Sequence, residues 1–282
     1  MNIQSIQQRL ESYGRLTSLD EHQALREITQ EVVLAALGRG DFFRYALFHG
    51  GTCLRVFHGL NRFSEDLDFA LKRQTPDFRL LDHLSPLADE MASYGYRLEI
   101  TQRDKVDRAV QKAFLKDDSL GGLLTMRHAN QAGRAPAIKV KLEVDTNPPE
   151  GGTMESRYLD FPFVSSVATQ DLSTMFAGKV HALLCRDYIK GRDWYDLLWF
   201  TGRHVGINCS YLASALNQYG PWKGQRIQVD PSWVSIMLDK KIRTLDFKAV
   251  VADVRRFVRP NELPSLELWS QELFLSRLDS LS

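Results

Sequence analysis

His49-Gly-Gly-Thr-Cys-Leu-Arg-Val-Phe-His-Gly-Leu-Asn-Arg-Phe-Ser-Glu-Asp-Leu-Asp-Phe69 is the stretch from which the rest of the chain can be read. Its end places Asp66 and Asp68 on either side of Leu67, with Phe69 following. Side chains alternate between the two faces of a strand. The two carboxylates therefore share one face, while Leu67 and Phe69 pack on the other. Two like charges side by side on a rigid strand make sense if a divalent cation offsets them. Magnesium suits the pair, because it takes one or two carboxylates together with substrate phosphates. The beginning of the stretch places Gly50-Gly51 between a short apolar run, Tyr45 to Phe48, and a helix expected over Thr52 to His58. A glycine pair there lets backbone approach a ligand closely, and a helix N-terminus offers N–H groups and partial positive charge to a phosphate. Gly50, Gly51 and Thr52, the last with a hydroxyl donor, are candidate nucleotide contacts. So are Arg55, Arg62 and Ser64 on the connection between the two halves.

The pattern extends in both directions. Ser18-x-x-Glu21 reads as a capping box, and Leu25, Ile28, Val32 and Ala35 recur at helical spacing, so a helix is expected over 18–37. Leu67 to Leu71 is the next strand. Thr75-Pro76, with threonine as cap and proline at the first position, predicts a helix that ends near Gly95. Tyr96 to Gln102 and Val110 to Leu115 read as strands, and 117–135, rich in Gly and polar residues, as a loop or hairpin end. Ile138-Lys-Val-Lys-Leu-Glu-Val-Asp145 alternates strictly and is the clearest strand in the chain; Thr146 to Gly152 must break it. From Asp171 onward the periodicity is helical, near 171–188, 193–204, 210–218, 231–239, 247–258 and 264–280. The expected architecture is an α/β (α+β) N-terminal domain with a mixed sheet over 1–165 and a mainly helical C-terminal domain over 166–282, the latter contributing to the active-site cleft.

A lone Gly-Gly is an ordinary turn and a lone Asp-x-Asp a common solvated strand face. Joined at this spacing, the strand–Gly-Gly-Thr–helix unit and the Asp-x-Asp strand resemble the nucleotidyltransferase superfamily with the polymerase-beta-like fold. The fuller wording, G-G-T-x-L-R ending in R-x-S-E-D-L-D-F, is similar to that of the AbiEii/AbiGii family, the nucleotidyltransferase toxins of bacterial toxin–antitoxin and phage-defence systems. The resemblance implies a third acid on a later strand. On the polar face of Ile138–Asp145 that acid is Glu143, set between Leu142 and Val144, or Asp145 one step further along. Asp66, Asp68, Glu143 and Asp145 are thus the candidate metal ligands. An exposed charged face is the plain alternative for the last two.

Lys179-Val-His-Ala-Leu-Leu-Cys-Arg186 and Lys190-Gly-Arg-Asp-Trp-Tyr-Asp196 carry a second signal. Lys179 and Arg186 fall on about one face of a helix, and Asp193 and Asp196, three apart, on one face of the next. Acids in a first helical turn are favoured by the helix dipole, so Asp193 has a structural reason to be there. The K-x-x-A-L-x-x-R and K-x-R-D-x-Y-D wording resembles the downstream motif of the same family. The resemblance implies a catalytic role for Lys179 with Asp193 or Asp196, the lysine binding triphosphate or stabilising charge that develops in transfer. The competing reading is a salt-bridge network between the two helices, with Arg186, Lys190 and Arg192 pairing Asp193 and Asp196.

The bulk properties exclude several classes. In 282 residues, 44% hydrophobic and 25% charged, the formal net charge is +1, so no strong overall field for nucleic acid exists. Three scattered cysteines suit neither a disulfide framework nor a zinc site and fit a reducing compartment. No run approaches the roughly 18 apolar residues of a membrane span, and the N-terminus has no signal-peptide core; the expected location is cytoplasmic. The seven histidines do not cluster at metal-ligand spacing. The expectation is therefore a Mg²⁺-dependent enzyme moving a nucleoside monophosphate from an NTP to an acceptor. The family resemblance suggests the 3′ end of tRNA as that acceptor and an antitoxin as a partner. Arg243, Lys248, Arg255, Arg256 and Arg259 could track a phosphate backbone or simply be solvated. A protein or small-molecule hydroxyl is the rival acceptor, and a non-catalytic nucleotide- or RNA-binding module the rival class.

Overall fold

The computed structural model describes residues 2–13, 17–75, 77–102, 109–117 and 137–281. The chain divides into two compact units. The first comprises Met1–His58, Glu65–Pro148 and Ser156–Thr169; the second comprises Gly59–Ser64, Pro149–Glu155 and Gln170–Ser282.

The first unit opens with α1 (Ile3–Ser12) and α2 (Ser18–Arg39). α1 was not anticipated, since only Ile6 and Leu10 of its mostly polar sequence are buried; an Arg9–Glu31 ion pair of 2.7 Å ties it to α2. The capping box of α2 lies one residue earlier than Ser18-x-x-Glu21 suggests: Thr17 is the cap and Asp20 its reciprocal partner. α3 (Phe42–Tyr45) leads into β1 (Ala46–His49), then α4 (Gly50–His58) and β2 (Asp66–Leu71). The helix expected from Thr75-Pro76 begins only at Leu81, as α5 (Leu81–Ala92). The Gln111 side chain explains the delay, since it accepts from Leu80 N and donates to the Phe78 carbonyl, each at 2.7 Å, and holds the segment out of a helix. β3 (Glu99–Gln102), β4 (Val110–Asp117), β5 (Ile138–Asp145), β6 (Met154–Leu159) and β7 (Ser165–Gln170) complete the strands. The expected loop over 117–135 lies, apart from Asp117, outside the described residues. β6 and β7 escaped the sequence because MESRYL buries only Leu159 and SSVATQ has a single aliphatic β-former, Val167.

Among the described residues the strands form one mixed sheet in the order β3-β4-β5-β2-β1-β7-β6. β2 runs parallel to β5 and antiparallel to β1, and β4 is antiparallel to β5. Leu67 and Phe69 of β2 and Leu142 and Val144 of β5 are buried on one face. Phe69 packs there edge-on to Phe42, ring centroids 4.9 Å apart. The opposite face of the same strands is the polar one.

The second unit is helical: α6 (Leu172–Cys185), α7 (Gly191–Thr201), α8 (Cys209–Gln218), α9 (Pro231–Arg243), α10 (Phe247–Val254) and α11 (Gln271–Ser276). Asp171, Asn208, Asp230 and Asp246 cap α6, α8, α9 and α10. The helix expected over 264–280 is broken. Pro260–Leu268 is a 3₁₀ turn containing Pro264, Trp269 is extended, and α11 starts after it. Phe176 stacks on Phe200 at 4.5 Å between α6 and α7. No described helix is long and apolar enough to cross a membrane.

Candidate active site

The register of the central strands sets the site in the first unit. Asp66 lies opposite Lys141, and Asp68 opposite Glu143. Across β1, His49 is opposite Asp68; across β4, Lys112 is opposite Glu143. Paired residues on neighbouring strands point to the same face. One row of the polar face therefore reads His49, Asp68, Glu143, Lys112, and the next row places Lys141 beside Asp66. The alternation expected of Asp66 and Asp68 is present, with Leu67 and Phe69 buried behind them.

The glycine turn is fitted to this face. Gly50 has φ +78°, which favours glycine, and Gly51 is buried behind it. Thr52 is fully buried, and its hydroxyl donates to the backbone carbonyl of Asp66. The hydroxyl read as a nucleotide contact thus links α4 to β2. Arg55, also read as a triphosphate contact, is committed to an ion pair with Glu27. Arg62 and Ser64 are both buried and belong to the second unit.

Glu143 is held by two lysines. Lys112 Nζ lies 2.6 Å from Oε1 and Lys141 Nζ 2.9 Å from Oε2. Burial alone would raise the pKa of this carboxyl, but the hydrogen bonds from Lys112 and Lys141 outweigh it and hold the pKa below its ordinary value. Burial likewise works against the Lys141 ammonium, and Glu143 reverses the effect, leaving its pKa raised. Asp145, on the same face opposite Ala70, has its pKa raised by burial, partly offset by the Asn147 N–H that it accepts at 2.9 Å. Asp66 and Asp68, on one face of β2, are the carboxylates that could hold a magnesium ion whose shell is completed by substrate oxygens. Among the described residues no group of three or more His, Cys, Asp or Glu side chains converges as a cage for a metal.

The second unit holds the other constellation. Lys179 Nζ on α6 is 2.7 Å from Asp196 Oδ2 and 3.1 Å from Asp193 Oδ1, both on α7. Arg62 binds Asp196 with two parallel bonds, Nε to Oδ1 at 2.6 Å and Nη2 to Oδ2 at 2.7 Å. Arg186 pairs with Asp193. The network reading is thus present, with Lys179 and Arg62 as its centre in addition to Arg186. Burial disfavours the Lys179 ammonium, but Asp196 and Asp193 together raise its pKa above the ordinary value. Burial would raise the pKa of Asp193, yet Lys179, Lys190 and Arg186 keep it low. Gly191 sets the geometry of the cluster: a Cβ there would lie 2.4 Å from the Val250 carbonyl oxygen, so α7 can meet α10 this closely only at a glycine.

Sequence reasoning did not single out Lys112 and did not connect Arg62 to Asp196. Alternation along β5 puts Lys141 beside Glu143, but pairing Lys112 with Glu143 requires the β4–β5 register. The Arg62–Asp196 contact spans 134 residues, and no local pattern encodes it.

A family model described as nucleotidyl transferase AbiEii toxin, type IV toxin–antitoxin system, matches residues 32–276. Among solved structures the chain is similar to MenT4, a nucleotidyltransferase toxin from Mycobacterium tuberculosis H37Rv. The TM-score is 0.60 at 16% identity, covering 100% of this chain and 89% of that one. It is also similar to JHP933 from Helicobacter pylori, with a TM-score of 0.51 at 17% identity over 92% of this chain and 89% of the other. At these identities the likeness concerns the fold. No curated protein matches the chain.

Proposed function

Because the chain belongs to the AbiEii nucleotidyltransferase toxin family of type IV toxin–antitoxin systems, we propose that it transfers a nucleoside monophosphate from an NTP to the 3′ end of tRNA, using magnesium held by Asp66 and Asp68. The observation that carries the reading is the shared polar face of Asp66 and Asp68, packed against the Gly50 turn. A magnesium ion bound there would neutralise triphosphate charge and polarise the phosphate under attack.

The chain's own residues supply the rest. Gly50 and Gly51 open α4, whose N-terminal N–H groups and helix dipole favour an anion. Thr52 fixes β2 to that helix through the Asp66 carbonyl. Lys179, held charged between Asp193 and Asp196 within the second unit, keeps the catalytic role that the family's downstream motif implies. The acceptor oxygen bonds to the α-phosphorus, the bond to the bridging oxygen breaks, and pyrophosphate leaves. The third acid, assigned to Asp145 on the face that it shares with Glu143, takes the proton of the acceptor hydroxyl. Modifying the tRNA 3′ end would stop aminoacylation, which suits a toxin that is paired with an antitoxin.

The test is incubation of the purified protein with Mg²⁺, total tRNA and each of the four α-labelled NTPs, beside an Asp66→Ala control. Label on the tRNA 3′ end with one or two NTPs, absent from the control, is the expected result. Label on a protein or small molecule instead would overturn the acceptor. No label on any component of a cell lysate would overturn the enzyme and leave a binding module.

A further inference from the structure

The polar face of the central strands carries two ammonium groups among its carboxylates. Lys112 and Lys141 come from two different strands, β4 and β5, and converge on one carboxylate, each taking a separate oxygen of Glu143. The register puts Lys141 beside Asp66 and Glu143 beside Asp68, so both ammonium groups share the face of the two acids. Neighbouring strands hold such side chains about 5 Å apart.

This arrangement bears on what Glu143 can do. A magnesium ion ligated by Glu143 would share its oxygens with the two lysine donors and stand next to both ammonium groups, a like-charge contact that costs energy in a half-buried setting. The trio of two ammonium groups and one carboxylate is instead net positive. It faces the place where a triphosphate, with its several negative charges, would lie over Asp66 and Asp68. Lysine is a common phosphate donor, and each ammonium keeps N–H groups beyond the one that it gives to Glu143.

We infer that Glu143 is a positioning residue that holds Lys112 and Lys141 as a two-ammonium site for the β- and γ-phosphates of the NTP, so that metal binding falls to Asp66 and Asp68. The inference rests on the nucleotidyl-transfer reading and adds to it the residues that hold the phosphate end of the donor. It also assigns Glu143 a role other than that of a third metal ligand.

The experiment compares wild type with Lys112→Met, Lys141→Met and Glu143→Gln, all near-isosteric, after circular dichroism melting has shown each to be folded. Binding of non-hydrolysable analogues of the four NTPs is measured by titration calorimetry with and without Mg²⁺. The KM for NTP, the kcat and the half-saturating Mg²⁺ concentration are measured with labelled NTP. Each lysine variant is expected to weaken analogue binding about tenfold or more, with or without Mg²⁺. Glu143→Gln is expected to raise KM for NTP several-fold and leave the half-saturating Mg²⁺ concentration unchanged. A Glu143→Gln protein that needs about tenfold more Mg²⁺ while binding the metal-free analogue normally would make Glu143 a metal ligand and overturn the assignment. Lysine variants that bind every analogue as wild type does would overturn it too, with nucleotidyl transfer left standing. A wild type that binds none of the four analogues would instead sink the nucleotidyl-transfer reading itself.

Discussion

A β-carbon on Gly50 would stand 2.6 Å from Oδ2 of Asp68 and 3.2 Å from its Cβ. The turn and the acid therefore fit each other as a hand-width contact, and the positive φ of Gly50 adds a second reason for glycine. Gly50→Ala should cost roughly 1–2 kcal/mol from the left-handed backbone. It should also push Asp68 aside and lower transfer about a hundredfold, as small misplacements of reacting groups do. Unfolding in urea and initial rates check the two parts; a variant with wild-type kcat would show that the contact does not place Asp68.

Asp68→Ala should reduce transfer to below about a hundredth of wild type while leaving the melting temperature unchanged or raised. The carboxylate shares a face with Asp66 and is not part of the buried apolar layer of β2, so its loss relieves repulsion and opens no core cavity. Differential scanning calorimetry beside the labelled-NTP assay reads both. Retained activity would remove Asp68 from the chemistry.

Arg62 is 1% exposed and binds Asp196 through two bonds. Arg62→Met should destabilise the second unit by about 3–5 kcal/mol, because it leaves a buried carboxylate short of its partner. The connector 59–64 should loosen with it, since Arg62 Nη1 also donates to the Phe63 carbonyl at 3.0 Å and Phe63 N donates to the Phe257 carbonyl at 2.7 Å. Denaturant midpoints test the cost, and a change below about 1 kcal/mol would contradict it.

The pH dependence of the Lys179 cluster has a definite sign. Lys179 has a raised pKa, so its contribution is complete below its ordinary value of 10.5 and disappears as pH rises through the higher folded value. Asp193 has a lowered pKa, so its contribution is complete above its ordinary value of 3.8 and disappears as pH falls through the lower folded value. The stability gap between wild type and Asp193→Asn should stay constant from about pH 9 to about pH 5 and close only below about pH 4. A gap that closed between pH 7 and pH 5, roughly the range of histidine, would place the charge balance elsewhere.

Gly191→Ala should destabilise α7 by about 1–3 kcal/mol through overpacking. The new methyl would meet the Val250 carbonyl oxygen and Val254 N, which are backbone atoms that cannot swing away. Because Asp193 and Asp196 lie on α7, activity should fall along with stability. Thermal unfolding and kcat check the pair; unchanged values of both would show that α10 yields.

The parts of the fold that were legible in the sequence rest on short-range rules. Ile138–Asp145 was read to the residue because alternation alone defines it, and Asp66 with Asp68 because a spacing of two on a strand fixes their face. What was not legible depends on partners far along the chain. Leu81 starts α5 because Gln111 holds the preceding peptides, and Glu143 is neutralised by a lysine that only the β4–β5 register brings near. Arg55 and Arg62 looked like free cations because Glu27 and Asp196, which occupy them, are too distant in sequence to be paired by spacing.

Among the described residues β2 is the fourth of seven strands in the sheet order, hydrogen-bonded to β1 on one side and β5 on the other. Amide protons in such a strand exchange with solvent only when the middle of the sheet opens, an event close to global unfolding in free energy. The two acids therefore stand on an interior strand that is paired on both sides. A factor that silences this chain gains nothing by loosening the acids short of unfolding the unit; covering the face they share, or competing for what binds there, is the route that the strand order leaves open.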